Sequence, residues 1–197
     1  MNRTAYYEEL KALARAKRQE HGIAGPRVLR SDFKRIFKEE GITFDYWDRP
    51  LKAIRGAYLC DDLGPTIMVR KNLPDDPCVF TMAHEYKHHL RDRDQGLVHC
   101  RNDPSTVVIE IGAEVFAAEF LFPEGIFREQ MEARSIASAA CTQEHLVMLK
   151  NETKTTMSYA GLRKTAIRLG YATQAMPDNG WRQLEDSLGF AAFRRRY

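Results

Sequence analysis

Long hydrophobic runs are missing from this 197-residue chain. No stretch approaches the roughly 20 apolar residues needed to cross a bilayer. The amino terminus MNRTAYYEELKALARAKRQ alternates charge with apolar side chains where a signal peptide has a continuous apolar core. The expectation is a cytoplasmic chain with no membrane partner. Cysteine is scarce too: Cys60, Cys78, Cys100 and Cys141 are widely spaced, form no CxxC pair and are too few to staple a domain of this size. They read as reduced thiols. Charge of one sign is also lacking. The net charge of +3 is too small to imply nucleic acid by itself, and the one basic cluster, Arg194 to Arg196, reads as a solvated end. Neither an internal repeat nor a low-complexity tract is present. What remains, 44% hydrophobic and 29% charged, is an ordinary globular composition with room for one core and a small second domain.

From about Thr4 to Gln19, Tyr6, Leu10, Leu13 and Lys17 share a helical face, and Gly22, Gly25 and Pro26 then stop the pattern. A second helix carries Leu29, Phe33, Ile36 and Phe37 on its apolar side and ends at Gly41. GITFDYWD next alternates Ile42, Phe44 and Tyr46 with polar partners, while GAYLC and TIMVR flank the turn-rich DDLGP. This predicts a hairpin joined to a preceding strand, a small three-stranded antiparallel sheet. Two helices follow, each opened by an acid and a proline, Asp76–Pro77 and Asp103–Pro104. Beyond Pro123 the chain is polar and helical, with YAGLRKTAIRLG its clearest segment. The change of texture near Arg134 suggests a division into 1–134 and 135–197. The fold class is α+β.

One stretch carries the chemistry. TMAHEYKHHL places His84 and His88 one helical turn apart, so both imidazoles can reach one ion at about 2.0 to 2.1 Å, a spacing that suits zinc. Glu85 is offset around the helix, where its carboxylate can take a proton from a water activated by the ion instead of binding the ion itself. Val79, Met82, Ala83, Tyr86 and Leu90 form an apolar stripe that would lay the helix on the sheet with its metal face toward a cleft. The bland alternative is an ordinary polar helix, but a chance HExxH on a capped amphipathic helix after a sheet is rare. His89 lies about 100° round from His88, too far to share the metal, and should orient Glu85 or face solvent.

A hydrolytic zinc site needs a third protein ligand. STVVIEIGAEVFAAEFLFP offers Glu110, Glu114 and Glu119. Glu110 and Glu114 share a face, and Glu119 lies about 100° or more from both.

Taken in order, GITFDYWD, FTMAHEYKHHL and FAAEFLFP, and more loosely SYAGLRKTAIRLGY, resemble the ImmA/IrrE family of metallo-endopeptidases. The resemblance covers most of the chain. It implies a cytoplasmic zinc-dependent peptidase, with manganese as the alternative metal. His84 and His88 would be ligands, Glu85 the general base, and a downstream glutamate the third ligand. It also implies a helix-turn-helix transcriptional repressor as protein substrate, whose cleavage derepresses genes of mobile elements or stress responses. Counting back from FAA in the family pattern puts the third ligand at Gly112, which cannot bind a metal. As substitutes, Glu119 lies on nearly the same face as position 112, about 10 Å further along, and Glu114 would need the helix rotated. They rank in that order, with His99 and Cys100 in the preceding loop as further candidates. Lys87 stands where the family often has glycine and reads as a more polar cleft edge.

Tyr86, His99 and Tyr159 are candidates for a proton-donating or oxyanion-stabilising group. GLRKTAIRLG is a basic amphipathic helix in a helix-turn-helix-like region, with Leu162, Ala166 and Leu169 inward. Packing on the peptidase, or gripping the repressor, weighs above direct DNA contact because the charge excess is small. The rival to a peptidase is a partner-binding regulator that keeps the fold without cutting, and Gly112 is its support. A DNA-binding factor with a structural zinc is the third reading.

Overall fold

Asn2 starts the first helix: its side-chain oxygen accepts from the backbone N–H of Thr4 (3.1 Å) and Ala5 (3.4 Å), two of the donors a helix start leaves over. In a computed structural model of the chain, residues 2–48, 54–93 and 104–190 are described, with backbone alone at 104–106. Helix α1 spans Arg3–Glu20 and stops where Gly22 takes a φ of 67°. Helix α2, Arg30–Glu39, is opened by Asp32, whose carboxylate accepts from the Leu29 N–H at 2.8 Å, and is closed by Gly41 at φ 69°.

Strands β1 (Thr43–Trp47), β2 (Gly56–Asp61) and β3 (Gly64–Arg70) form one sheet in the order β1-β3-β2. The predicted hairpin is β2–β3, antiparallel, with Tyr58 opposite Ile67. The prediction that the whole sheet is antiparallel needs correcting, because β1 runs parallel to β3, with Phe44 beside Ile67 and Tyr46 beside Val69. Alternation in a sequence says which face of a strand is buried and leaves open which edge it joins. Strand β3, with Ile67 and Val69 fully buried, takes the centre; β1, with Thr43 and Asp45 exposed, takes an edge.

Helix α3, Asp75–Arg91, packs on β2 and β3. It starts just before the predicted Asp76–Pro77 opening, so Pro77 lies inside the first turn, where a missing N–H still costs no intrahelical bond. Helix α4, Pro104–Leu121, packs against both α3 and α1. Helices α5 (Glu124–Ala133), α6 (Gln143–Thr153), α7 (Tyr159–Arg168) and α8 (Trp181–Ser187) complete the described chain. The Ser158 hydroxyl opens α7 by accepting from the Gly161 N–H at 3.1 Å.

Phe33, Phe37, Tyr86, Phe116 and Phe120 build the centre of the core from α2, α3 and α4, all fully buried, with Phe33 and Phe120 ring centroids 5.2 Å apart. The same apolar cluster continues through Met131, Ile136, Cys141 and Leu146 to Leu162 and Ala166. Arg18 ties α1 to the end of α4: its guanidinium donates to the Phe120 carbonyl and, at 2.6 Å, to that of Gly25. Burial lowers its pKa to about 10, against the pull of the Glu119 charge. Among the described cysteines none is bonded to another, and burial pushes the Cys141 thiol up to about 11. No helix among the described residues is long and apolar enough to cross a membrane.

Candidate metal centre

The one-turn spacing of His84 and His88 on α3 does what helix geometry requires. Their Nε2 atoms face each other at 3.2 Å, with the rings tilted 65°. The third group comes from α4. Glu110 brings one carboxylate oxygen to 3.1 Å from His84 Nε2 and the other to 3.6 Å from His88 Nε2. A tetrahedral ion bound at 2.0 to 2.1 Å separates its ligand atoms by about 3.3 Å. Each imidazole meets a different Glu110 oxygen at about that separation, and one ligand atom from each of the three residues lies within 4.8 Å of the others, so two imidazoles and a carboxylate are gathered closely enough to converge on one divalent cation. The fit leaves a way in, because the side chains of His84 and Glu110 are 16% and 33% exposed while that of His88 is sealed at 2%.

His88 is fixed from behind. Its Nδ1–H donates to Asp92 Oδ2 at 2.7 Å, which sets the tautomer and leaves the Nε2 lone pair for a metal. Asp92 is buried, and burial alone would raise its carboxyl pKa; the hydrogen bonds from His88 and Lys87 outweigh that and hold it below the ordinary carboxylate value.

Glu85 points to a different side of α3 and is only 2% exposed. It lies against the start of β2, where Gly56 makes room. A Cβ at position 56 would sit 2.6 Å from Glu85 Oε1 and closer still to the Thr81 methyl. A glycine at that strand position is what lets α3 and β2 approach with a carboxylate between them.

Several sequence candidates stand elsewhere. Glu119 is buried, but it pairs with Arg15 at 2.8 Å and accepts from the Glu124 N–H at 3.1 Å, capping α5. Glu114 is exposed, beside a groove and outside the triad. Gly112 faces the opposite way from a ligand position: a Cβ there would lie 2.8 Å from Leu10 and 2.9 Å from Tyr6, so it is the small residue at the α1–α4 contact. His89 neither faces solvent nor reaches the metal group. It is fully buried, stacked on Tyr86 (9° between planes) and edge-on to Tyr58. Tyr86 points its hydroxyl into the core, donating to Glu40, so it does not line a cleft. The Tyr159 hydroxyl pairs with Glu185 and with Asn151 at 3.2 Å, and its ring stacks on Trp181. Lys87, expected at a cleft edge, is fully buried. His99, Cys100 and Arg194 to Arg196 lie outside the described residues.

Glu110 was visible in the sequence as one of three glutamates, but counting helical turns from Gly112 ranked Glu119 and then Glu114 and passed Glu110 over, because the choice depends on how α4 lies on α3. Asp92 had a readable signal, one turn beyond His88 with an acid where an imidazole needs an acceptor. Gly56 had none, since its role is a close approach between distant segments.

A second cluster, Glu20, His21 and Glu40, also gathers ligand-type atoms. The Lys17 ammonium is already seated there, 3.0 Å from Glu20 and 2.9 Å from Glu40, which makes it an ion-pair network. A groove of about 580 Å³ lies where α1, α4 and α7 meet the start of α3; Phe80, Ile111, Val115 and Phe122 line it together with charged side chains such as Lys11 and Lys164, and none of the triad residues does.

The family model described as the IrrE N-terminal-like domain, a peptidase family, matches residues 26–143, which contain all three triad residues and Glu85. No curated protein matches the chain at a significant level.

Proposed function

The chain belongs to the peptidase family of the IrrE N-terminal-like domain, and from that premise we propose that it is a zinc-dependent endopeptidase whose substrate is a helix-turn-helix repressor. The observation that supports the hydrolytic reading is the His84–His88–Glu110 cluster, in which one ligand atom from each residue lies within 4.8 Å of the others, close enough to meet at one divalent cation. Bound there, zinc would supply a Lewis acid and an acidified water. His84, His88 and Glu110 would hold it. Glu85, next to His84 in the sequence and buried at the α3–β2 contact, would serve as the general base, taking a proton from that water and returning it to the leaving amine. Manganese fits the same donor set less well, since two imidazoles favour zinc.

The repressor as substrate, and derepression of its target genes as the outcome, rest on family membership. Direct DNA binding draws little support from α7: Arg163 donates to the Met176 carbonyl at 2.7 Å, and Arg168 pairs with Glu124. The non-cutting regulator rested on a missing third ligand at Gly112, and Glu110 removes that ground.

The test is cleavage of a candidate repressor by metal-replete protein, beside Glu85→Gln. Cleavage by the wild type, with a single new amino terminus, and none by Glu85→Gln at unchanged metal content is the expected result. Cleavage that survives the substitution removes Glu85 from its role, and tight repressor binding without cleavage by the wild type returns the regulator reading.

A further inference from the structure

Lys87 is a fully buried cation beside the metal group, and nothing in the chemistry above uses it. Burying an ammonium costs several kcal/mol unless it is paired and hydrogen-bonded. Its Nζ donates to Asp92 Oδ2 at 2.7 Å and to the Ile109 carbonyl at 3.1 Å, and it lies 5.9 Å from the Tyr6 ring centroid. The two hydrogen bonds lead to metal-site elements. The Asp92 oxygen it binds is the one that accepts from His88 Nδ1. The carbonyl it binds belongs to the residue before Glu110.

Asp92 also needs a cation. It is the residue that ends α3, where exposed carbonyls make a carboxylate unfavourable, and it is buried. His88 and Lys87 together offset that cost. On the far side, the ammonium fixes the first turns of α4 against α3, which is the contact that sets how Glu110 meets the histidines.

Resting on the metal-centre reading above, we propose that Lys87 is a positioning residue of that centre: it holds the Asp92 carboxylate on His88 and pins α4 so that Glu110 closes the triad. Glycine or alanine at this helix position could do neither.

The test measures metal affinity directly, by titrating cobalt(II) into metal-free protein, following its visible absorption, and competing it with zinc. Lys87→Met, which keeps length and removes charge, should weaken binding about 10- to 100-fold and alter the cobalt spectrum, the range seen when partners behind a ligand are lost. Asp92→Asn should do the same. The double variant should lose less than the sum of the two single losses, because both substitutions break the shared Lys87–Asp92 contact. Lys150→Met is the control. That lysine is also largely buried and paired, with Asp76, but belongs to α6, so its loss should lower the melting temperature and leave metal affinity alone. Metal binding by Lys87→Met within about twofold of the wild type, the scatter expected of unlinked sites, overturns the proposal. So does an additive double variant. Should Lys87→Met fail to fold, the near-isosteric Asp92→Asn decides, and unchanged affinity there overturns it equally. A wild type that binds no divalent metal defeats the metal-centre reading itself, a different outcome.

Discussion

Glu110 stands beside His84 and His88, where Gly112 could offer no ligand, and the two positions lie only half a turn apart. That half turn separates the face of α4 toward α3 from the face toward α1. Two substitutions follow. Glu110→Gln should weaken metal binding by more than the roughly 100-fold that loss of an outer partner costs, while Glu119→Gln should leave affinity unchanged and lower stability by about 1–2 kcal/mol through loss of the α5 cap and the Arg15 pair. Gly112→Glu should gain no metal affinity and lose about 1–3 kcal/mol by overpacking against Leu10 and Tyr6; a gain of affinity would show that α4 is turned the other way. The residues legible in the sequence, His84, Glu85 and His88, share a single helix, where spacing alone fixes geometry. Glu110, Asp92 and Lys87 were readable as residue types, yet their roles depend on which element each side chain meets.

At the scale of elements, α3 is the piece everything else positions. Its apolar stripe was plain in the sequence, because burial on a helix repeats with a fixed period. The pairing of β1 with β3 was not, because strand order depends on contacts between segments that alternation does not encode. Gly56→Ala tests the α3–β2 approach: its methyl would press on Thr81 and Glu85, so the variant should lose about 1–3 kcal/mol and cut turnover while metal content stays constant. The buried face of α3 also sets a pH dependence. Burial, first, and then the Arg93 cation pull the His89 pKa from 6.5 down to about 4, against the Glu40 charge. The unfolded chain therefore takes up a proton below about 6.5 that the folded chain refuses. Stability is whole above that pH and falls as pH drops toward about 4, by about 2–3 kcal/mol in all. Denaturant titrations of the metal-free chain at pH 7 and pH 4.5 should show that loss, and His89→Gln should shrink it; an unchanged difference would assign the acid sensitivity to other groups.

For the whole molecule, a metal that binds only the folded chain adds stability by mass action, about 2.7 kcal/mol at a free concentration 100 times the dissociation constant. Melting curves with zinc and with chelator should separate by that amount in the wild type and merge in Glu110→Gln. The overall α+β plan, a small sheet under the HExxH helix with helices after it, was legible because each element had its own start and stop signals. The continuous core that joins Met131 to Ile136 and Leu146 was not, since a change of texture along a chain says little about what packs together. The claim at the centre of the account is that two histidines of α3 and one glutamate of α4 hold one ion. An anomalous difference map at the zinc edge, from crystals grown with zinc, tests it most directly. The account predicts one strong peak at about 2.0 to 2.1 Å from His84 Nε2, His88 Nε2 and a Glu110 oxygen; a peak held instead by Glu114 or Glu119, or at the Glu20–His21–Glu40 cluster alone, would contradict it.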